Sequence, residues 1–189
     1  MRQRTFADES WSHVVFEPSG TCGAQPTVHM TTEPLTLPVA VTIAKLIADL
    51  TANTVKAHLM VTDWTKLKQT ARCAELKYPS GELAAVLLCD LAFCAFSGAS
   101  LMAFPAPVAQ ACIKAGDLDQ PLRENFAEIA NVLTGAFREF DQRVILGAIH
   151  VGLAKLPPEC AALLQSKRKA QFELEFARYG LGRCAFLLR

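Results

Sequence analysis

Two stretches that read as β-hairpins constrain this chain more than anything else in it. Ala71 to Lys77 has the look of a strand, Tyr78-Pro79-Ser80-Gly81 that of a tight reversal, and Leu83 to Asp90 that of the returning strand. Near the C-terminus, Gln171 to Ala177 alternates Phe172, Leu174 and Phe176 with Glu173 and Glu175. Tyr179-Gly180-Leu181-Gly182 turns the chain, and Arg183 to Leu188 returns. Strands joined by tight turns pair antiparallel. Each hairpin has an apolar face that must be covered, and the chain between them supplies helices to cover it.

The first helix opens at Pro38, a favoured position for proline in the first turn. Val39, Ile43, Leu46, Ile47, Leu50, Thr54 and His58 follow at three- and four-residue steps, which extends it to about residue 58. Cys94 to Met102 reads as a further strand, interrupted at Ser97-Gly98. Pro105 starts a short helix through about Lys114, and Gly116 suits a left-handed cap. Asp119 is a good N-cap for a long helix to about Phe140. Val144 to Leu153 is a strand candidate, stopped by Pro157-Pro158, with a helical turn over 158–165. The expected class is α+β: a largely antiparallel sheet with long helices packed on it. Residues 1–37 form an irregular N-terminal extension with scattered prolines and glycines, and 38–189 form one α/β domain.

Composition excludes several classes. Of 189 residues, 51% are hydrophobic and 20% charged, so a real core is available. A net charge of +1 leaves no basic field for a nucleic-acid backbone. The run from Leu91 to Ile113 carries no formal charge, but Pro105 and Pro107 break any single spanning helix, so no membrane segment is expected. The N-terminus has no apolar signal core, which points to the cytoplasm. The seven cysteines include no CxxC pair, and most lie in apolar stretches; they read as buried thiols. The four histidines have no ligand-type spacing, so neither a metal nor another cofactor is expected.

The helix at 119–140 carries the candidate site. At 100° per residue, Leu122, Phe126, Ile129, Ala130, Leu133, Phe137 and Phe140 form one buried stripe. The opposite side holds Glu124, Glu128, Asn131, Gly135 and Glu139. Glu128 and Asn131, three apart, lie side by side. Gly135 is next along the face, where a glycine costs about 1 kcal/mol against alanine and suggests close approach by another backbone. By spacing alone, a Glu and an Asn on an outer helix face are ordinary solvated residues.

The stretch from Glu124 to Leu133, ENFAEIANVL, resembles the signature of the CheC/CheX/FliY family: Asp or Ser, Glu four residues later, Asn three after that, and a more distant Pro. Glu128 and Asn131 match the central pair, and Pro157 or Pro158 lies a few residues late for the distal proline. Glu124 departs from the Asp or Ser of the pattern. Asp49 and Asn53 on the first helix are four apart and do not match, so the chain has one motif at most. The resemblance covers about 38–188, including Asp90, Gly98 and Pro105 in matching order.

That resemblance implies a phosphatase acting on a phosphorylated response regulator of the CheY type, whose phosphoryl group sits on an aspartate. Asn131 would enter the regulator's site and orient the attacking water, and Glu128 would anchor the complex against a lysine. Glu124 and Gly135 would contact the partner. Positioning is most of the catalysis in such a reaction, and an amide can both accept from water and donate. The regulator would bring its own divalent metal. The alternatives are a non-catalytic binding module of the same fold, as in the flagellar switch, and an unrelated α/β domain that matches by accident. Strand edges of the two hairpins could also pair two copies into a homodimer.

Overall fold

The computed structural model of the protein describes residues 35–140 and 143–189. Six strands form one sheet: β1 (Val55–Leu59), β2 (Arg72–Lys77), β3 (Leu83–Cys89), β4 (Ile145–Val151), β5 (Lys169–Phe176) and β6 (Gly180–Leu188). Their order is β1-β5-β6-β3-β2-β4, and every pairing is antiparallel. The α+β class with a largely antiparallel sheet is therefore what the chain adopts. Both hairpins stand where the turn chemistry placed them. At the first, Gly81 N–H donates to the Tyr78 carbonyl at 2.8 Å, with Gly81 at φ 89°. That conformation lies in the region open to glycine.

The strand order is unchanged when β1 is exchanged with β4, β5 with β2 and β6 with β3. Each half contributes a helix, an edge strand and a hairpin. The helices are α1 (Ala40–Thr51) in one half and α4 (Gln120–Leu133) in the other. Because β1 pairs with β5 and β4 with β2, each edge strand is hydrogen-bonded to the hairpin of the other half. The hairpin strands are thus interior. The edges expected to be open for pairing between chains belong to β1 and β4 instead.

Two helix–strand assignments differ from the sequence expectation. The first helix stops at Thr51, with Ala52 left-handed at φ 50°, and 55–59 is the strand β1. The helical steps at Thr54 and His58 are polar, so no apolar stripe held them in a helix. Pairing of 55–59 with 172–176, and the Ala177 N–H donating to the Thr54 carbonyl, satisfy the backbone instead. The segment expected as a strand over 94–102 is the helix α2 (Leu91–Leu101), N-capped by Asp90, whose carboxylate accepts from Phe93 N–H at 2.7 Å. Nearly all of α2 is buried, so it has no polar face to mark its period. A short apolar run is ambiguous between strand and helix for that reason. The charge-free run is therefore core from Leu91 to Ser100, while its continuation through α3 is partly exposed, and among the described residues no helix is long and apolar enough to cross a membrane.

The remaining elements follow expectation closely. α3 (Ala106–Ala115) ends on left-handed Gly116, and α5 (Pro158–Leu163) starts at the Pro-Pro pair. Helices α1 to α4 cover one sheet face around Ile43, Ile47, Phe93, Phe126, Ile129 and Phe186. α5 and a 3-10 turn at Trp64–Leu67 cover the other, over Cys73, Val86, Leu88, Ala185 and Leu187. β2 and β3 are buried on both faces. Leu35 is buried and Leu37 packs on the same core, so the packed body begins just before Pro38. Most of the irregular extension, residues 1–34, lies outside the described residues. Six of the cysteines are free and buried, and Cys22 lies outside the described residues.

Candidate functional site

α4 is set by its ends and its buried stripe. Asp119 caps it by accepting from Leu122 N–H at 2.9 Å, which fills one of the four unpaired donors of the first turn. Leu122, Phe126, Ile129, Ala130 and Leu133 are buried, as the periodicity requires. After Leu133 the helix tightens into a 3-10 segment, Thr134–Phe140. Thr134 Oγ1 donates to the Asn131 carbonyl at 2.7 Å at that transition. The single long helix expected to Phe140 is thus an α-helix plus a 3-10 extension.

Glu128 and Asn131 are both exposed on the outer face of α4. Neither side chain has a hydrogen-bond or ion-pair partner among the described residues. Glu124 is exposed too and accepts from Gln120 Nε2 at 2.9 Å, one turn away. Gly135 is different. It sits in the 3-10 segment, half-buried, and a Cβ there would lie 3.7 Å from Leu46 Cδ2 on α1. The neighbour close to Gly135 is a side chain of the same domain rather than an incoming backbone.

The base of α4 is rigidly held. Asn125 Nδ2 donates to the Gly98 carbonyl at 3.0 Å. Gly98 also lets α2 approach, since a Cβ there would stand 3.0 Å from the Leu122 carbonyl oxygen. Asn125 lies inside the signature-like stretch, and its anchoring role had no local signal. The corresponding helix, α1, has no equivalent pair. Asp49 is bound to Lys45 at 2.6 Å, and Asn53 donates to Ser100 Oγ at 2.9 Å and to the Ala177 carbonyl at 3.2 Å. The amide of Asn53 is structural.

Nucleophilic alternatives are weak in this structure. Burial pushes the Cys73 thiol up to about 12, with Cys160 and Glu75 adding to it, and burial also raises Cys89 and Cys184. A thiolate, the reactive form, is disfavoured at all three. Arg168 of the basic run 167–169 is engaged: it donates to the carbonyls of Leu35 and Arg189. A cleft of about 570 Å³ lined by Trp64, Leu88, Leu153, Gln171 and Leu187 opens on the sheet face away from α4. The Glu128–Asn131 pair stands on the solvent-facing side of α4, open to contact. The chain also brings Glu75, His150 and Cys160 together, although the histidine spacing offered no metal-ligand cluster.

No protein-family model matches the sequence, and no curated protein sequence does. Solved structures do match. The middle domain of FliM from H. pylori aligns with TM-score 0.56 at 8% identity, over 79% of this chain and 84% of that one. The FliM–SpeE complex from H. pylori aligns at 0.53 and 10%, over 79% and 80%. FliY from Thermotoga maritima aligns at 0.52 and 12%, over 78% and 82%. At such identities the likeness is one of fold, and the fold of this chain is that of the FliM middle domain and FliY.

Proposed function

We propose that this protein is a phosphatase for a phosphorylated response regulator of the CheY type, acting in bacterial chemotaxis or two-component signalling in the cytoplasm. The observation that carries this reading is the exposed pair Glu128 and Asn131, unpartnered among the described residues, on a helix pinned at Asn125. A carboxylate and an amide one turn apart on an exposed helix face supply an anchor and a water-positioning group. Asn131 accepts a hydrogen bond from the water in line with the aspartyl phosphate. Glu128 pairs with a cationic group beside it. The phosphoryl–oxygen bond to the regulator's aspartate breaks as water adds to phosphorus, giving free phosphate and the aspartate carboxylate. Rigid placement accounts for most of the rate gain in such a step. Glu124 and Gly135 border the contact surface.

A second reading is a binding module of the same fold. Glu124 in place of Asp or Ser favours it, as does the likeness to the FliM middle domain and to a FliM found in complex with another protein. A panel of phosphorylated regulators separates the two. The phosphatase reading expects faster phosphate loss from at least one regulator, abolished by Asn131→Ala and weakened by Glu128→Ala. Regulators that bind while losing phosphate at their own rate would support the module.

A further inference from the structure

On the sheet face away from α4, three side chains converge that the function proposed above does not use. Glu75 projects from β2 and is 4% exposed. His150 Nε2, on β4, lies 2.8 Å from Glu75 Oε1, and Cys160 Sγ, on α5, lies 3.8 Å from the same oxygen. One donor atom from each residue lies within 4.8 Å of the other two. The two carboxylate oxygens have separate surroundings. Oε2 takes Lys77 Nζ at 2.8 Å and Ala148 N–H at 3.3 Å, which leaves Oε1 facing His150 and Cys160. Gly147 makes the room, because a Cβ there would stand 2.9 Å from Oε2.

We propose that Glu75 Oε1, His150 Nε2 and Cys160 Sγ form a three-ligand site for one divalent transition metal ion of the zinc class, with a fourth position open to water. Tetrahedral coordination at bonds of about 2.0–2.3 Å separates ligand atoms by roughly 3.3–3.8 Å. The Sγ–Oε1 distance already fits, and the His150–Oε1 contact needs to open by about half an ångström. A thiolate, an imidazole and a carboxylate together suit zinc and its neighbours and not magnesium or calcium, which take all-oxygen sets. Lys77 and the Ala148 N–H orient the carboxylate from behind, as outer partners of metal ligands do. Two ligands stand on paired strands of one sheet, and the third is on a helix whose start is set by Pro157 and Pro158. The His150 side chain is 24% exposed, which leaves an entry path from solvent.

A cysteine thiol gives up its proton when it binds a metal ion. Metal binding forms the metal–sulfur bond and sends that proton to solvent, about one per ion. The competing account is a polar network complete in itself, with Lys77 neutralising Glu75.

The test uses the full chain, treated with chelator and titrated with Co²⁺. The site predicts one equivalent bound, a thiolate-to-cobalt charge-transfer band in the near ultraviolet, displacement by Zn²⁺, and release of about one proton per ion in weak buffer. Cys160→Ser loses the band. His150→Ala, at a partly exposed position, weakens Co²⁺ binding about tenfold or more. It also serves as the readout if Cys160→Ser does not fold. Absence of stoichiometric binding by the wild-type chain overturns the proposal. So does a band that survives Cys160→Ser, or Co²⁺ affinity unchanged by His150→Ala, since either places the metal on other groups. Regulator dephosphorylation is a separate readout and plays no part in this test.

Discussion

The Asn125 amide donates to the Gly98 carbonyl at 3.0 Å, and this bond ties the helix bearing Glu128 and Asn131 to α2 where Gly98 comes close to the Leu122 carbonyl. The exposed pair owes its orientation to that contact beneath it. Gly98→Val forces a branched side chain against the Leu122 carbonyl and should destabilise by about 1–3 kcal/mol, the usual cost of overpacking. Asn125→Ala should cost about 1 kcal/mol for the lost hydrogen bond. Urea denaturation followed by circular dichroism measures both.

Asn131→Ala and Glu128→Ala touch only the exposed surface. Each should change folding stability by no more than about 0.5 kcal/mol. Against a responsive phosphorylated regulator, Asn131→Ala should slow dephosphorylation by about a hundredfold, the scale expected for lost positioning. The Glu128 change should appear mainly as weaker binding. Paired measurements of thermal stability and phosphate release check this. A large stability loss at Asn131 would show that the amide is structural.

Gly182 on β6 faces the start of α2 so closely that a Cβ would stand 2.4 Å from Phe93 Cα. Backbone cannot swing aside as a flexible side chain can. Gly182→Ala should therefore destabilise at the upper end of the overpacking range, about 3 kcal/mol. The denaturation midpoint should fall far more than for alanine at Gly135, where a Cβ would meet only ordinary contact with Leu46 at 3.7 Å.

Burial raises the Glu75 carboxyl, but hydrogen bonds from Lys77, His150 and the Ala148 N–H outweigh it and hold the group at about 2, below its ordinary value of 4.5. A depressed carboxyl stabilises the fold above its unfolded pKa, and the contribution is lost as pH falls through the folded one. Stability should drop between about pH 4.5 and 2. Glu75→Gln should flatten that part of the profile when midpoints are followed by thermal unfolding. An unchanged acid limb in the variant would remove Glu75 as its source.

Much of this fold is legible in the sequence because its signals are local. The turn at Tyr78–Gly81, the cap at Asp119, the stop at Gly116 and the period of Leu122, Phe126, Ile129 and Leu133 each act within a few residues. From the same period follow the outward positions of Glu128 and Asn131, which a helix dictates once its buried stripe is known. α2 escaped this reading because a helix buried all round has no polar face to beat time. β1 escaped it because its identity as a strand depends on hydrogen bonds to 172–176, which lie far along the chain.

What the sequence determined by itself was therefore the hairpins, the caps and the face of α4 that meets solvent, since neighbouring residues alone set backbone preference and period. Tertiary structure decided which strands became edges, that Gly135 lies beside Leu46, and that Glu75, His150 and Cys160 meet. Those outcomes rest on contacts between segments far apart in the chain, Val55 and Phe176 being 121 positions apart and Glu75 and Cys160 85, and no local propensity encodes such distances.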